Sequence, residues 1–158
     1  MVRKLISERW KLSFHLEKKE LAVYVLSVST KGPKLTKSQG TPMGLPGLSF
    51  RGRVGGDVAA VNASMSDFVN WMTRSVGFDR PIVDQTGLIG KYDFTLDWTP
   101  DDSQFGGMGA TIAPSADDAN KPPSLYVAMQ EQLGLRLTAA KAVADVLVID
   151  HVERPSEN

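Results

Sequence analysis

The side chains able to do chemistry are few and scattered. His15 and His151 are the two histidines; each stands on a stretch that reads as a strand, and Asp150 adjoins the second. Neighbours on a strand point to opposite faces, so Asp150 and His151 cannot form a catalytic hydrogen-bonded pair there. No His-x-x-x-His spacing occurs, and a zinc site would have to draw its other ligands from carboxylates. Asp93 and Asp97 share one strand face, an arrangement that raises acid–base or metal chemistry. Four residues along a strand cover about 13 Å at about 3.3 Å per residue. Paired glycosidase carboxylates lie at most about 9.5 Å apart, and the ligands of one metal lie closer still. The two aspartates therefore read as a solvated outer strand face.

The glycine-rich stretches are no more specific. Gly47-Leu48-Ser49-Phe50-Arg51-Gly52 approaches a nucleophile elbow, but its second glycine comes one place late and no strand–turn–helix surrounds it. Gly106-Gly107-Met108-Gly109 lacks the Gly-Lys-Ser/Thr of a phosphate loop and the spacing of a dinucleotide fingerprint. The nearby acidic pairs, Asp101-Asp102 and Asp117-Asp118, do not have EF-hand spacing. With no cysteine in the chain, disulfides, thiolate zinc sites and cysteine nucleophiles are excluded. The reading is of a non-enzymatic chain, with no catalytic residue, no metal ligand and no cofactor.

The elements that would carry a surface are easier to read. Val2, Leu5, Ile6, Arg9 and Trp10 make a short amphipathic helix over 2–10. Leu12, Phe14 and Leu16 then alternate with polar residues, as on a half-buried strand. The polar Lys18-Lys19-Glu20 reads as a turn that leads Leu21–Ser29 back as a hairpin. Glycines and prolines crowd the stretch from Thr30 to Gly47, which reads as a linker. Strands follow at 48–54 and 57–62. Ser64 and Asp67 form a capping box before the stripe Met65, Phe68, Val69, Met72 and Val76, and Gly77 is the stop. Pro81–Asp84 is a short strand, and Tyr92, Phe94, Leu96 and Trp98 mark the clearest one. Residues 99–121 read as a binding loop or a mobile one. A last helix opens at Pro122-Pro123-Ser124, turns Leu125, Ala128, Met129 and Leu133 inward, and closes at Gly134. Leu135–Thr138 and Val143–Val152 read as a final hairpin.

Together these give an α+β fold of small antiparallel or mixed sheets with helices packed on them. The segments are a partial α-β-β unit over 1–29, a linker with a possible strand over 30–56, a complete β-α-β-β-α-β-β unit over 57–152, and a tail over 153–158. The two units match in sequence without a gap. Glu8, Leu12, Phe14, Val23, Tyr24, Val25 and Leu26 correspond to Glu131, Leu135, Leu137, Val146, Leu147, Val148 and Ile149. The missing front half of the first copy implies a truncated form of something longer.

Composition narrows the partners. The apolar fraction of 42% and charged fraction of 23% are ordinary for a globular chain. Basic and acidic residues number 18 each, and no basic stripe is visible, so nucleic acid is not an expected partner. No run approaches the roughly 18 apolar residues of a membrane span. The first ten residues are too short in apolar character for a signal peptide, which leaves localisation open.

Two stretches carry a family resemblance: Pro81 to Phe94 (PIVDQTGLIGKYDF), and Glu131-Gln132-Leu133-Gly134-Leu135 followed by Val146 to Pro155 (VLVIDHVERP). With Glu8-Arg9-Trp10-Lys11-Leu12 and Gly32-Pro33-Lys34-Leu35, they resemble the soil-associated family of uncharacterised proteins found in large paralogous sets in acidobacterial-type genomes. The resemblance implies periplasmic or secreted full-length forms and supplies no functional residues. The second half is also similar in topology to the short N-terminal signalling domain of secretins and TonB-dependent receptors. The expected function is an interaction or signalling module of the bacterial cell envelope, binding a protein partner or itself. Its candidate surface is Trp71, Trp98, Phe105, Met108 and Val152, with the edge beside 143–152 and the 99–121 loop. A small-molecule or carbohydrate binder using Trp98 as a stacking wall is the alternative, and a hydrolase the remaining one.

Overall fold

The computed structural model describes residues 10–41, 43–51, 56–101, 104–105 and 121–154. Its elements run β1 (Ser13–Val28), β2 (Thr36–Lys37), β3 (Gly47–Phe50), β4 (Asp57–Ala63), α1 (Met65–Trp71), β5 (Ile82–Asp84), β6 (Tyr92–Asp97), α2 (Leu125–Ala128) and β7 (Leu135–His151). This is an α+β fold. By compactness the chain forms two units, one of Ala22–Ala140 and one of Met1–Leu21 with Lys141–Asn158.

In the larger unit, α1 begins where the capping chemistry requires. The Ser64 hydroxyl accepts from the Asp67 amide at 3.1 Å, and the Asp67 carboxylate accepts from the Ser64 amide at 2.9 Å. Each bond satisfies an amide that helix geometry leaves without a partner. The Ser64 hydroxyl, followed by the Ser64 amide, holds the Asp67 carboxyl below its usual range. The helix widens into a π turn over Met72–Val76 and stops at Gly77, whose φ of 67° is left-handed. α2 repeats the plan, with a π turn over Met129–Leu133 and a left-handed stop at Gly134.

Both helices bury the stripes read from sequence. Met65, Phe68, Met72 and Val76 of the first, and Leu125, Ala128, Met129 and Leu133 of the second, are buried. Beneath them lies a four-stranded antiparallel sheet in the order β2-β6-β4-β3. Val58 and Ala60 of β4, with Phe94 and Leu96 of β6, supply its buried face. Phe68 meets Phe94 edge-on at 5.1 Å between ring centres. In the second sheet, of order β5-β1-β7, β5 runs parallel to β1 with Tyr24 opposite Ile82. Tyr24 is buried there against Phe78, and its hydroxyl is pushed up to about 12, chiefly by the hydrogen bond with Tyr126 and then by burial.

Two sequence expectations change. The expected hairpins at 12–29 and 135–152 do not form: each stretch is one uninterrupted strand, and the two strands are sheet neighbours. His15 bonds Asp150, and Ser27 bonds the Arg136 carbonyl, so they run antiparallel. The apparent break at Lys18-Lys19-Glu20 reflects a change in burial. Phe14 and Leu16 are apolar on one side only, whereas Val23, Tyr24 and Leu26 are buried on both sides of the strand. Neither Lys18-Lys19-Glu20 nor Ala139-Ala140-Lys141-Ala142 contains a residue suited to a tight hairpin turn.

The expected linker after Thr30 is also built into the larger unit. Asn62 interrupts β4 with a left-handed φ of 52°, making a bulge between Ala60 and Ala63. Its amide donates to the Asp93 carboxylate at 2.7 Å, and its side-chain nitrogen donates to the carbonyls of Thr41 and Gly44. A Cβ on Gly40 or Gly44 would meet the Asn62 side chain at 2.9 or 2.7 Å, which explains glycine at both places.

Candidate interaction surface

The smaller unit is built on a two-stranded ribbon, the first half of β1 beside the second half of β7. His15 and Asp150 meet across it at 2.8 Å, which fixes which residues share a face. Even positions of β1 and odd positions of β7 therefore lie together on the opposite face. That face carries Phe14 and Leu16 from one strand and Val143, Leu147 and Ile149 from the other, with the charged Lys18, Glu20, Lys141 and Asp145 among them. Leu16 is 67% exposed, Val143 64%, Ile149 59% and Leu147 52%. The sequence expectation of a half-buried strand does not hold for Leu16: the alternation is present, but the apolar side is open. Large apolar side chains exposed together and rimmed by charges mark surfaces that meet partners.

β7 lies at the edge of its sheet, and among the described residues no strand pairs with its outer side. An open edge presents unpaired amides and carbonyls, a template for a further strand. The edge of β1 in the ribbon differs. It carries Glu17, Lys18, Lys19 and Glu20 in succession, the kind of charged run that discourages pairing. β7 carries only isolated charges.

The residues expected on a surface fall in different places. Trp98 and Phe105 lie in the core at 2% and 4% exposure. The Trp98 indole donates to the Gln104 side chain at 2.8 Å, and the Phe105 amide donates to the Val76 carbonyl. Their apolar area is thus consumed within the fold, and neither offers a wall to a partner or a sugar. Trp71 is half-buried and packs on Phe50 at 4.9 Å. Val152 is exposed, just past the end of β7. Met108 lies outside the described residues, as does most of the expected loop. The roots of that loop are tied: Thr99 donates to the Pro122 carbonyl through its hydroxyl and to the Pro123 carbonyl through its amide.

The polar residues form no reaction centre among the described residues. His15 and Asp150 are oriented as a base and its partner would be, but both are about half exposed, and no hydroxyl nucleophile is hydrogen-bonded to the imidazole. His151 instead reaches Glu153 at 3.0 Å, and Lys11, then His151, hold the Glu153 carboxyl below its usual range. No cluster of three metal-ligating side chains occurs among the described residues. Of the two aspartates of β6, the Asp93 carboxylate is engaged by the fold. Asp93 accepts the Asn62 amide, while the Gln132 side chain bonds both the amide and the carbonyl of Asp97. An open groove of about 550 Å³ is lined by Lys34, Thr36, Asp93, Thr95 and Gln132 among others. Lys34, Asp93 and Gln132 spend hydrogen bonds on backbone groups, so they serve as scaffold there. No helix among the described residues is long and apolar enough to cross a membrane.

Fold and surface together define a small α+β module whose distinctive feature is an open, partly apolar ribbon. The chain belongs to the family described as "Protein of unknown function (DUF3738)", which it matches over residues 1–152. Neither the curated proteins nor the solved structures hold a match to it.

Proposed function

We propose that this chain is a non-enzymatic interaction or signalling module of the bacterial cell envelope, docking a protein partner or a second copy of itself through the β1/β7 ribbon. The observation that carries the reading is the coincidence, on one ribbon, of an open strand edge and an exposed apolar face. Edge pairing supplies main-chain hydrogen bonds, and alternate side chains supply selectivity. The envelope assignment rests on the resemblance to soil-associated acidobacterial-type proteins and to secretin and TonB-receptor signalling domains. The sequence match between the two segments supports the same picture. At the offset that relates Glu8 to Glu131, Ser13 and Val28 of β1 fall on Arg136 and His151 of β7. On that match the ribbon would be two copies of one strand, each placed to meet another. A ligand-binding reading loses its expected stacking wall, because Trp98 is buried.

The test is photo-crosslinking with a reactive side chain at Leu147 or Ile149 in cells making this protein. Adducts at these positions that disappear with Leu16→Lys are expected. Adducts only from a label outside the ribbon, such as at Met43, would overturn the proposal.

A further inference from the structure

Resting on the interaction reading, we infer that the partner of β7 is β7 of a second copy, paired antiparallel about a two-fold axis through Val143. The argument lies in the charges. β7 carries four: Arg136, Lys141, Asp145 and Asp150. Lys141 and Asp145 stand two residues either side of Val143, and Arg136 and Asp150 stand seven either side. Antiparallel self-pairing centred on Val143 therefore sets Lys141 opposite Asp145 and Arg136 opposite Asp150, each twice. Every charge of the strand meets its opposite. Directly opposed pairs of this kind stabilise a sheet, whereas like charges destabilise it.

The rest of the strand agrees with that register. Leu137, itself buried, comes opposite Ile149 and Ala139 opposite Leu147, so the exposed Ile149 and Leu147 gain apolar neighbours. Moving the centre by one residue in either direction leaves all four charges without an opposed partner. Parallel in-register pairing would set each charge against its like. The edge of β1 cannot do the same: centring on Lys18 or Lys19 opposes lysine to lysine, and centring between them opposes glutamate to glutamate as well.

The inner side of β7 already shows a related pairing. Under the repeat offset Ser27 is the counterpart of Asp150, and Ser27 is bonded to the Arg136 carbonyl. The contact within one chain thus joins the same two positions that the inferred contact joins between chains.

The natural chain has no cysteine, so one introduced thiol reports cleanly on this geometry. Directly opposed residues of antiparallel strands have Cα atoms about 4.5–5.5 Å apart, within the span of a disulfide, about 4.4–6.8 Å. Val143→Cys is expected to give a disulfide-linked dimer under mild oxidation. Leu147→Cys should give little, because its two copies would lie about 26 Å apart along the strands. Lys141→Asp should weaken association in sedimentation by about tenfold or more, and Lys141→Asp with Asp145→Lys should restore it. Unchanged urea midpoints would show that these variants fold. Val143→Cys linking no faster than Leu147→Cys, or a double reversal that fails to restore association, would overturn the inference. If the thiol test fails while labels at Leu147 and Ile149 capture a different protein, self-pairing falls and the interaction reading stands. If both fail, both fall.

Discussion

Gly134 ends α2 and delivers the chain into β7, and its replacement by alanine has a cost that can be worked from the geometry. At φ of 65° a Cβ is strained, by about 1–2 kcal/mol for a left-handed residue. Position 134 carries a second burden. A Cβ there would run into the Gly32 carbonyl oxygen, with the Gly32 carbonyl carbon and the Lys34 amide nitrogen each at 3.0 Å. These are backbone atoms, held by bonds from the Ser29 amide to the Gly134 carbonyl and from the Lys34 amide to the Leu133 carbonyl. No side chain can swing aside, so the overlap costs about 1–3 kcal/mol more. Gly87 supplies the control. Its φ is 66°, and nothing lies within 4 Å of its Cβ position. Gly87→Ala should show the strain alone. Urea unfolding should place Gly134→Ala about 1–3 kcal/mol below Gly87→Ala, a midpoint difference of about 1 M at ordinary slopes. Equal midpoints for the two would refute the reasoning.

Other perturbations follow from the same contacts. Asn62→Ala removes the bonds to Thr41 and Gly44 and strains the left-handed bulge, so it should cost about 2–3 kcal/mol in urea and speed proteolysis within 38–47; Asn62→Gly should recover the strain but not the protection of the loop. Ser64→Ala should cost about 1 kcal/mol by loss of the cap. Because folding lowers the Asp67 carboxyl, the unfolded chain binds more protons in acid. Its stabilisation is present above the ordinary value near 3.9 and lost as pH falls through the folded value. Asp67→Asn should therefore flatten the acid limb of a stability–pH curve. Tyr24 has the opposite sign. With its hydroxyl at about 12 when folded, stability is intact below about 10, the ordinary tyrosine value, and declines as pH rises toward 12. Tyr24→Phe should remove that alkaline decline.

Much of the larger unit was legible because its signals are local. The Ser64–Asp67 box, the helix stripes and the two glycine stops each depend on residues a few places apart, and all take the expected form. What sequence reading missed depends on long-range contact. The pairing of β1 with β7 joins positions such as His15 and Asp150, and nothing near either residue signals the other. Trp98 continues the apolar side of an alternating strand, the pattern of a buried residue, and the fold buries it as that pattern indicates. Asn62 gave a faint signal, a lone amide among Ala59-Ala60-Val61 and Ala63, which reads as a bulge only once the loop from Ser38 to Gly47 is known to cross it. The open ribbon face needed both kinds of information. Alternation shows that Leu147 and Ile149 share an orientation; only the fold sets Leu16 on the same face and shows that face uncovered.

Hydrogen exchange along β7 reaches the central claim most directly. In dilute, dissociated protein the outward amides between Lys141 and His151 should exchange quickly while alternate inward ones, facing β1, are slow. On association the fast set should become protected, with amides of the helices unchanged. Outward amides already slow in the dissociated chain, or still fast in the associated one, would contradict the account.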